Sequence, residues 1–298
     1  MVNRNFTFRL WREKAVRVSL FLAAFSSIAI TAGIIGILLY ESSIFFKAVP
    51  LVDFLTDTEW TPLFESAHFG IMPLVTGTLV TSIVALLLAL PVGTVIAIYL
   101  SEYAPYRVRE IVKPILELLG AIPTIIYGYF ALLFVTPLLQ RLMPELPGFN
   151  MLSAGLVIGV MVIPYVSSLS EDAMRAVPHA IREASYAMGA TRLQTALGAV
   201  VPSAFSGMTS AYILAFSRAV GETMVVAVAA GMQPNLTLDP RQPAATLTAY
   251  IVQVSLGDLP HGSIGYQTIF AAGLVLFLMT LGFNIAGSIL RKRFREVY

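Results

Sequence analysis

Residues 171–224 read EDAMRAVPHAIREASYAMGATRLQTALGAVVPSAFSGMTSAYILAFSRAVGETM, and this stretch decides the fold. Its first half is polar and leads directly into an apolar second half that still contains two charged residues, Arg218 and Glu222. The pattern predicts short helices outside a membrane, followed by a membrane-spanning helix that carries charges in its apolar part.

The polar half predicts two short helices joined by a turn. Pro178 suits the first turn of a helix, and Ile181, Ala184 and Met188 then share one face of it. Gly189 can end this helix because glycine readily adopts the left-handed conformation.

A second helix is expected from residue 191, where Thr-Arg-Leu-Gln has the form of a capping box. Its apolar stripe consists of Leu193, Ala196, Leu197 and Val200. Pro202 is expected to end this helix because proline cannot donate a backbone hydrogen bond. Residues 178–202 therefore predict a helix-turn-helix that stands outside the bilayer.

The composition is that of an integral membrane protein. Of the 298 residues, 57% are hydrophobic and only 12% are charged, which exceeds the apolar content of soluble domains. The net charge of +2 does not indicate a nucleic-acid partner. No cysteine is present, which excludes disulfides and cysteine metal sites, and no other metal site is expected. The histidines are far apart in sequence, at His68, His179 and His261.

Six apolar stretches can cross a bilayer of about 30 Å at 1.5 Å per residue. They are residues 18–40, 74–100, 118–140, 151–170, 204–231 and 267–290. The first is too long for the apolar part of a signal peptide and is expected to remain as a membrane helix. Gly155 and Gly159 predict close helix packing in the fourth stretch. Prolines are expected inside the second, third and fourth helices, at Pro91, Pro123 and Pro164.

The basic residues predict the orientation of the chain. Five precede the first stretch, three lie in each of the second and fourth connections, and four follow the last stretch, so that fifteen of nineteen share one side. Only Lys47, Arg141 and Arg241 lie in the other connections. Because lysine and arginine are enriched in cytoplasmic loops, both termini and residues 171–202 are expected in the cytoplasm.

A known motif can be identified in the polar half. Glu183, Ala184 and Ser185 are followed by Gly189 and, later, by Pro202. This segment resembles the Glu-Ala-Ala loop of ABC importer permeases, which docks on the ATPase subunit. Two positions differ mildly from the family pattern, Ser185 and Ala199.

Two further stretches narrow the resemblance. Residues 217–224 read SRAVGETM and residues 69–78 read FGIMPLVTGT, and both are similar to phosphate-specific permeases of the PstC type. The similarity covers roughly residues 69–290. It implies an all-α polytopic protein of the bacterial inner membrane, with six transmembrane helices in the type I ABC importer permease fold.

The apolar stretches and the basic residues, together with the resemblance, predict a division of the chain, and the resemblance implies a set of partners. Residues 1–17 would be a cytoplasmic segment, 18–68 the first membrane helix with an external loop, 69–290 the transporter domain with its coupling loop at 171–202, and 291–298 a basic cytoplasmic tail. The partners would be a PstA-like second permease, two PstB-like ATPase subunits and an external PstS-like phosphate-binding protein.

This chain itself is expected to be non-catalytic and to hold no cofactor. No lysine follows a glycine, so the Gly-Lys pair of an ATP-binding phosphate loop is absent from the sequence. ATP and Mg²⁺ would be bound by the partner ATPase.

Arg218 and Glu222 are four residues apart, which on a helix places them on one face, where they can pair. A charge at the centre of a bilayer costs about 2.5–3.5 kcal/mol, so both should face the bundle interior or a water-filled pathway. The residues alone leave two interpretations: a permanent ion pair, or an arginine that binds a passing oxyanion while Glu222 holds it in the empty state. The family resemblance favours the second.

Glu117 lies near the predicted cytoplasmic start of the third helix. It could anchor the helix at the membrane interface, be favoured there by the helix dipole, or bond to the cytoplasmic loop, so a structural role is expected rather than contact with the substrate.

Phosphate import is the leading hypothesis, and three alternatives stand beside it. A permease for another oxyanion, such as molybdate or sulfate, would share the docking loop. A proton-coupled secondary transporter would use Glu222 as its proton carrier. A structural or sensory membrane subunit would report external phosphate without carrying it.

Overall fold

The computed structural model describes residues 4–62, 64, 66–257, 259–260 and 262–293, apart from the side chains of residues 4–10. These residues form thirteen α-helices, three short π-helical segments and no β-strand. His261 and Arg295 lie outside the described residues, as does the tail that follows residue 293.

Six helical segments are long and apolar enough to cross a membrane, which confirms the predicted number. They are Trp11–Ala48, Met72–Tyr103, Thr124–Leu142, Met151–Arg175, Arg192–Val220 and Ile264–Arg293. An even number of crossings places both chain ends at the same end of the bundle, which we call the basic end because residues 12–17 and 291–293 supply a basic cluster there. The other end is the opposite end.

The first helix is longer than expected. α1 covers Arg4–Ala48, whereas the apolar run predicts only residues 18–40. No proline interrupts the chain before Pro50, which precedes the short helix α2, Leu51–Thr56. The polar residues that flank the apolar run therefore stay helical, and the predicted cytoplasmic segment 1–17 is helical from Arg4 onward.

The centre of the bundle is the close packing of two helices, α3 (Met72–Ile98) and α7 (Met151–Arg175). A Cβ atom added to Gly155 would lie 2.7 Å from Cβ of Val84, and one added to Gly159 would lie 2.7 Å from the carbonyl oxygen of Ala85. The predicted packing role of this glycine pair is thus confirmed. As expected, α3 and α7 contain Pro91 and Pro164.

The third apolar stretch is broken, contrary to the prediction of one helix over residues 118–140. An amphipathic helix, α4, covers Tyr106–Ala121, and Ile122 is extended because the following Pro123 disfavours the α conformation. Pro123 therefore precedes the membrane helix instead of lying inside it. That helix consists of α5 (Thr124–Phe130), a π-helical segment (Ala131–Val135) and α6 (Thr136–Leu142).

The fifth membrane segment starts earlier and ends earlier than residues 204–231. It consists of α9 (Arg192–Thr195), a π-helical segment (Ala196–Val200) and α10 (Val201–Val220), followed after a break by α11 (Met224–Ala229). The prediction that Pro202 ends the second short helix is wrong. The Val201 amide donates to Ala196 in a π-type bond, and Pro202 occupies the first turn of α10, where a missing N–H is tolerated.

The opposite end is closed by the two long loops that lie between the first two and the last two membrane helices. Phe45, Phe54, Trp60 and Tyr250 form a chain of edge-to-face rings there, with centroids 5.1–6.3 Å apart. Tyr250 belongs to α12 (Leu247–Ser255), which packs against α13 (Ile264–Arg293). The loops are therefore packed together at this end.

A pH-dependent contact stabilises the first of these loops. Nδ1 of His68 lies 2.9 Å from Oδ2 of Asp57, and this hydrogen bond raises the pKa of His68 although desolvation opposes it. Because the folded pKa is raised above the ordinary value of 6.5, the stabilisation is complete below that pH and is lost as the pH rises through the raised pKa. We expect hydrogen exchange of the Thr61 and Gly70 amides, corrected for its intrinsic pH dependence, to become faster over that range. In His68→Gln this additional pH dependence should disappear; an unchanged profile would contradict the assignment.

Candidate functional site

Residues 178–202, which we call the coupling segment after the role expected from the sequence, fold as predicted in their first part. Pro178 precedes α8, His179–Ala187. The chain then turns at Gly189, whose φ of +83° is in the left-handed region that glycine adopts without strain. The predicted turn is confirmed at this residue.

The second helix of the coupling segment starts with the predicted capping box. The Thr191 side chain accepts from the Gln194 amide, and the Gln194 side chain accepts from the Thr191 amide. Ser185, where the family pattern has alanine, is 2.8 Å from the buried Thr195 hydroxyl, so this departure adds a hydrogen bond between the two helices.

The coupling segment exposes apolar side chains at the basic end. Met188 is 88% exposed, Leu193 is 55% exposed, and Leu197 on the next turn is 52% exposed. Glu183 and Ala184 are exposed in the preceding helix. Met188 precedes the fifth membrane segment, and Leu193 and Leu197 lie in its first two turns. An exposed apolar surface at this end is typical of a protein–protein interface.

Three ion pairs that the sequence did not predict connect helices at the basic end. Arg182 of α8 binds Glu102, and Nζ of Lys113 on α4 lies 2.8 Å from Glu171 and 2.6 Å from Asp172 at the end of α7. Burial alone would lower the pKa of Lys113, but the two carboxylates raise it. The partners are 58–80 residues apart in sequence, so no local pattern could have indicated them.

The predicted ion pair between Arg218 and Glu222 does not form. α10 ends at Val220, so Glu222 lies in the break and the two residues do not share a helix face. Glu222 instead accepts from the amides of Met224 and Val225 at 3.1 and 3.3 Å, and its side chain thereby caps α11.

Arg218 is held by an aromatic ring instead of a carboxylate. Its Cζ lies 4.4 Å from the centroid of the Tyr165 ring on α7, a geometry typical of a cation–π contact. Its Nε atom is buried without a hydrogen-bond partner, and no acidic side chain of the described residues pairs with it. The last turn of a membrane-spanning helix thus carries a cation that this part of the chain does not neutralise.

A cleft of about 500 Å³ opens beside Tyr165. Its lining comes from α4, α7 and α10: Glu117, Gly120, Ala121, Pro164, Tyr165, Ser168, Leu169 and Leu214. Glu117 is exposed there and makes no hydrogen bond or ion pair with any described residue. It lies near the carboxyl end of α4, so the expected stabilisation by a helix amino terminus is wrong. The structure therefore brings Glu117 and the ring that holds Arg218 to one cleft.

Comparison with known proteins identifies the relatives of this fold. Residues 89–296 match the family model of the binding-protein-dependent transport system inner membrane component. A probable ABC transporter permease protein, YqgH of Bacillus subtilis, is 34% identical over 88% of this chain and 83% of its own length. The phosphate transport system permease protein PstC of Mesorhizobium japonicum is 33% identical over 76% of this chain and 74% of its own length.

Solved structures show the same fold at low sequence identity. A bacterial ABC transporter involved in the import of alginate superimposes with a TM-score of 0.64 at 16% identity, covering 97% of this chain and 100% of that one. The MetNI methionine ABC transporter gives a TM-score of 0.55 at 19% identity, covering 76% and 95%. The six membrane helices and the matched length show that this chain belongs to the family of binding-protein-dependent transport system inner membrane components and is a multi-pass permease subunit of an ABC importer.

Proposed function

We propose that this chain is one of two permease subunits of an ATP-driven phosphate importer and forms half of its translocation pathway. The observation that carries the proposal is Arg218, a cation in a membrane-spanning helix with no carboxylate partner among the described residues. Similarity to several phosphate permeases, including a probable PstC of Methanocaldococcus jannaschii that is 32% identical over 85% of this chain, supports phosphate as the cargo.

The chemistry of Arg218 suits a tetrahedral oxyanion. A guanidinium is planar and can donate two parallel hydrogen bonds to neighbouring oxygens of phosphate. Its contact with the Tyr165 ring would hold the group in position, and its Nε atom has no hydrogen-bond partner among the described residues. Glu222, which caps α11, would set the position of the break next to Arg218 without binding the anion.

The other subunits of the complex would supply the functions that this chain lacks, which are ATP binding and the second half of the pathway. The coupling segment presents Glu183, Ala184 and an adjacent apolar surface for docking on a PstB-like ATPase, with Gly189 and Pro202 shaping the segment. One coupling segment serves one ATPase, so two ATPases require a PstA-like second permease. ATP and Mg²⁺ would be bound by the ATPases, and this chain would be non-catalytic.

The fourth partner would be an external PstS-like binding protein. Its position outside the membrane, together with that of the ATPase in the cytoplasm, determines how we orient this chain. An alginate transporter of similar fold was solved in complex with a periplasmic protein. We place the basic end in the cytoplasm, where the coupling segment meets the ATPase, and the opposite end outside, where the packed loops would meet the binding protein.

One alternative cargo has an observation in its favour. A guanidinium binds any tetrahedral oxyanion, and the B. subtilis relative is named without a substrate, so molybdate or sulfate would use the same cation. Proton-coupled transport has less support, because the family is defined by binding-protein dependence and Glu222 already accepts two backbone hydrogen bonds.

Competition for uptake tests the cargo. In cells that express the complete complex, we expect unlabelled phosphate to suppress the uptake of labelled phosphate, and equal concentrations of molybdate or sulfate to leave it unchanged. Suppression by molybdate or sulfate with little effect of phosphate would leave the permease architecture intact and reassign the cargo. Regulation by phosphate without any uptake would favour the sensory role.

A further inference from the structure

The coupling helix α8 is attached to the membrane domain by one arginine. Nη2 and Nε of Arg182 donate to the two carboxylate oxygens of Glu102 at 3.0 and 3.3 Å. Nη1 donates to the carbonyl of Val177 at 2.6 Å, and Nη2 also donates to that of Met174 at 2.9 Å. One guanidinium therefore joins three parts of the chain: α8, the π-helical segment Tyr99–Tyr103 that follows α3, and the carboxyl end of α7.

This contact is buried although it lies at the edge of the molecule. The Arg182 side chain is 12% exposed and that of Glu102 is 6% exposed. The Ser101 hydroxyl also donates to Glu102 at 2.8 Å, so both carboxylate oxygens are satisfied. A paired and fully hydrogen-bonded charge in such a position holds its geometry, because either partner left alone would be a buried unpaired charge.

Apart from the Ser185–Thr195 hydrogen bond to α9, few other contacts hold α8 in place. No residue of α8 is fully buried, and Ile181 is its one side chain in the apolar cluster formed at this end by Ala97, Met174, Val177, Val200, Ala204 and Met208. After Gly189 the chain continues into α9 and α10 without a break. Covalent continuity thus connects the coupling segment to α10 and, through residues 176–178, to α7, whereas the Arg182–Glu102 pair connects it to the end of α3.

We propose that Arg182 and Glu102 are positioning residues that transmit movement of α8 to α3 and α7. This proposal rests on the proposed docking of an ATPase on the coupling segment and adds the route by which docking reaches the membrane. Because α3 and α7 are the most closely packed pair in the bundle, a displacement applied to their ends at Arg182 moves them as one unit together with α10. Lysine would not replace this arginine, because an ammonium cannot present the planar fork that Glu102 and the two carbonyls accept.

Spin-label distances test the attachment directly and do not depend on the cargo. The chain has no cysteine, so cysteines introduced at Met188, which is 88% exposed, and at Val95 on α3, which is 66% exposed, would carry the only labels on this subunit. Because Met188 belongs to the proposed docking surface, the distance is measured in the reconstituted permease pair without the ATPase, where we expect one narrow distance distribution. Arg182→Gln should at least double its width, and Arg182→Lys should broaden it less.

Arg192→Gln is the matched control, because Arg192 is an exposed arginine of the same segment without a partner among the described residues. It should leave the distribution narrow. A distribution as narrow in Arg182→Gln as in the wild type would overturn the proposed attachment.

The coupling ratio tests the function of the attachment. In vesicles that contain the whole complex, Arg182→Gln and Glu102→Gln should each raise the number of ATP molecules hydrolysed per phosphate imported by about tenfold, which corresponds to about 1.4 kcal/mol. Arg182→Lys serves if the glutamine variant does not assemble. An unchanged ratio in an assembled variant would overturn the proposal. Absence of phosphate import by the wild type would instead count against the proposed cargo, and the distance measurement would still decide the attachment.

Discussion

Arg218→Gln is expected to reduce phosphate uptake about 100-fold while the complex still assembles. Glutamine is of similar length but has no charge, so it removes the charge-assisted hydrogen bonds to the anion, each worth about 1.5–3 kcal/mol. Assembly should survive because the structure pairs Arg218 with no carboxylate among the described residues, and its removal leaves no buried acidic group unpaired. The measurement is uptake of labelled phosphate into vesicles, with subunit stoichiometry checked by co-purification.

Variants of Tyr165 separate the effect of the Arg218 charge from the effect of the ring that holds it. Tyr165→Phe keeps the ring below the guanidinium and should retain most of the uptake, whereas Tyr165→Leu removes the ring and should lower uptake about tenfold by releasing Arg218 from its position. Uptake by Arg218→Gln at the wild-type rate would remove Arg218 from the pathway, and the unpaired cation would then need a structural explanation.

Gly189→Val is expected to weaken association with the ATPase strongly. At a φ of +83° an L-residue pays about 1–2 kcal/mol, and a β-branched residue pays more, so the docking conformation of the coupling segment would become a minority state. The apparent affinity for the ATPase falls in proportion to the fraction of molecules that keep the docking conformation. This predicts that the affinity decreases at least about tenfold. Titration of the purified ATPase onto the permease pair in nanodiscs measures it.

Gly198 provides the matched control in the same segment. A Cβ atom meets nothing within 4 Å at either Gly189 or Gly198, but only Gly189 has a positive φ. Gly189→Ala should therefore weaken ATPase binding about 5- to 30-fold, and Gly198→Ala should leave it unchanged. Equal effects of the two alanine substitutions would mean that added bulk, and not backbone conformation, matters at this surface.

Features with a local physical cause could be predicted from the sequence. The number of membrane helices follows from apolar length, the turn at Gly189 follows from the freedom of glycine, and the capping box follows from Thr191 and Gln194. The glycine pair of α7 predicted close packing because only small residues let two helices approach to this extent.

The predictions for two prolines were wrong in opposite ways. Pro123 was expected inside a helix but precedes one, since the residue before proline avoids the α conformation. Pro202 was expected to end a helix but lies in the first turn of α10. The chain stays helical there because a π-helical segment, Ala196–Val200, directly precedes α10. Local composition does not distinguish these outcomes.

The candidate site could be predicted only in part. Arg218 was identified from its charge in an apolar segment, but its supposed partner Glu222 lies beyond the end of the helix. Its actual neighbour, Tyr165, is 53 positions earlier in the sequence and has no distinctive pattern around it. The same holds for Arg182 and Glu102, which are 80 positions apart.

ATP-dependent accumulation of labelled phosphate is the most direct test of the proposed function. Vesicles would contain this chain, its partner permease and the ATPase, with ATP enclosed on the cytoplasmic side and the phosphate-loaded binding protein on the other. We predict accumulation that requires ATP, requires the binding protein and persists in the presence of an uncoupler. Accumulation that collapses with the uncoupler while ATP is maintained, or an intact complex that accumulates no phosphate, would contradict an ATP-driven phosphate importer.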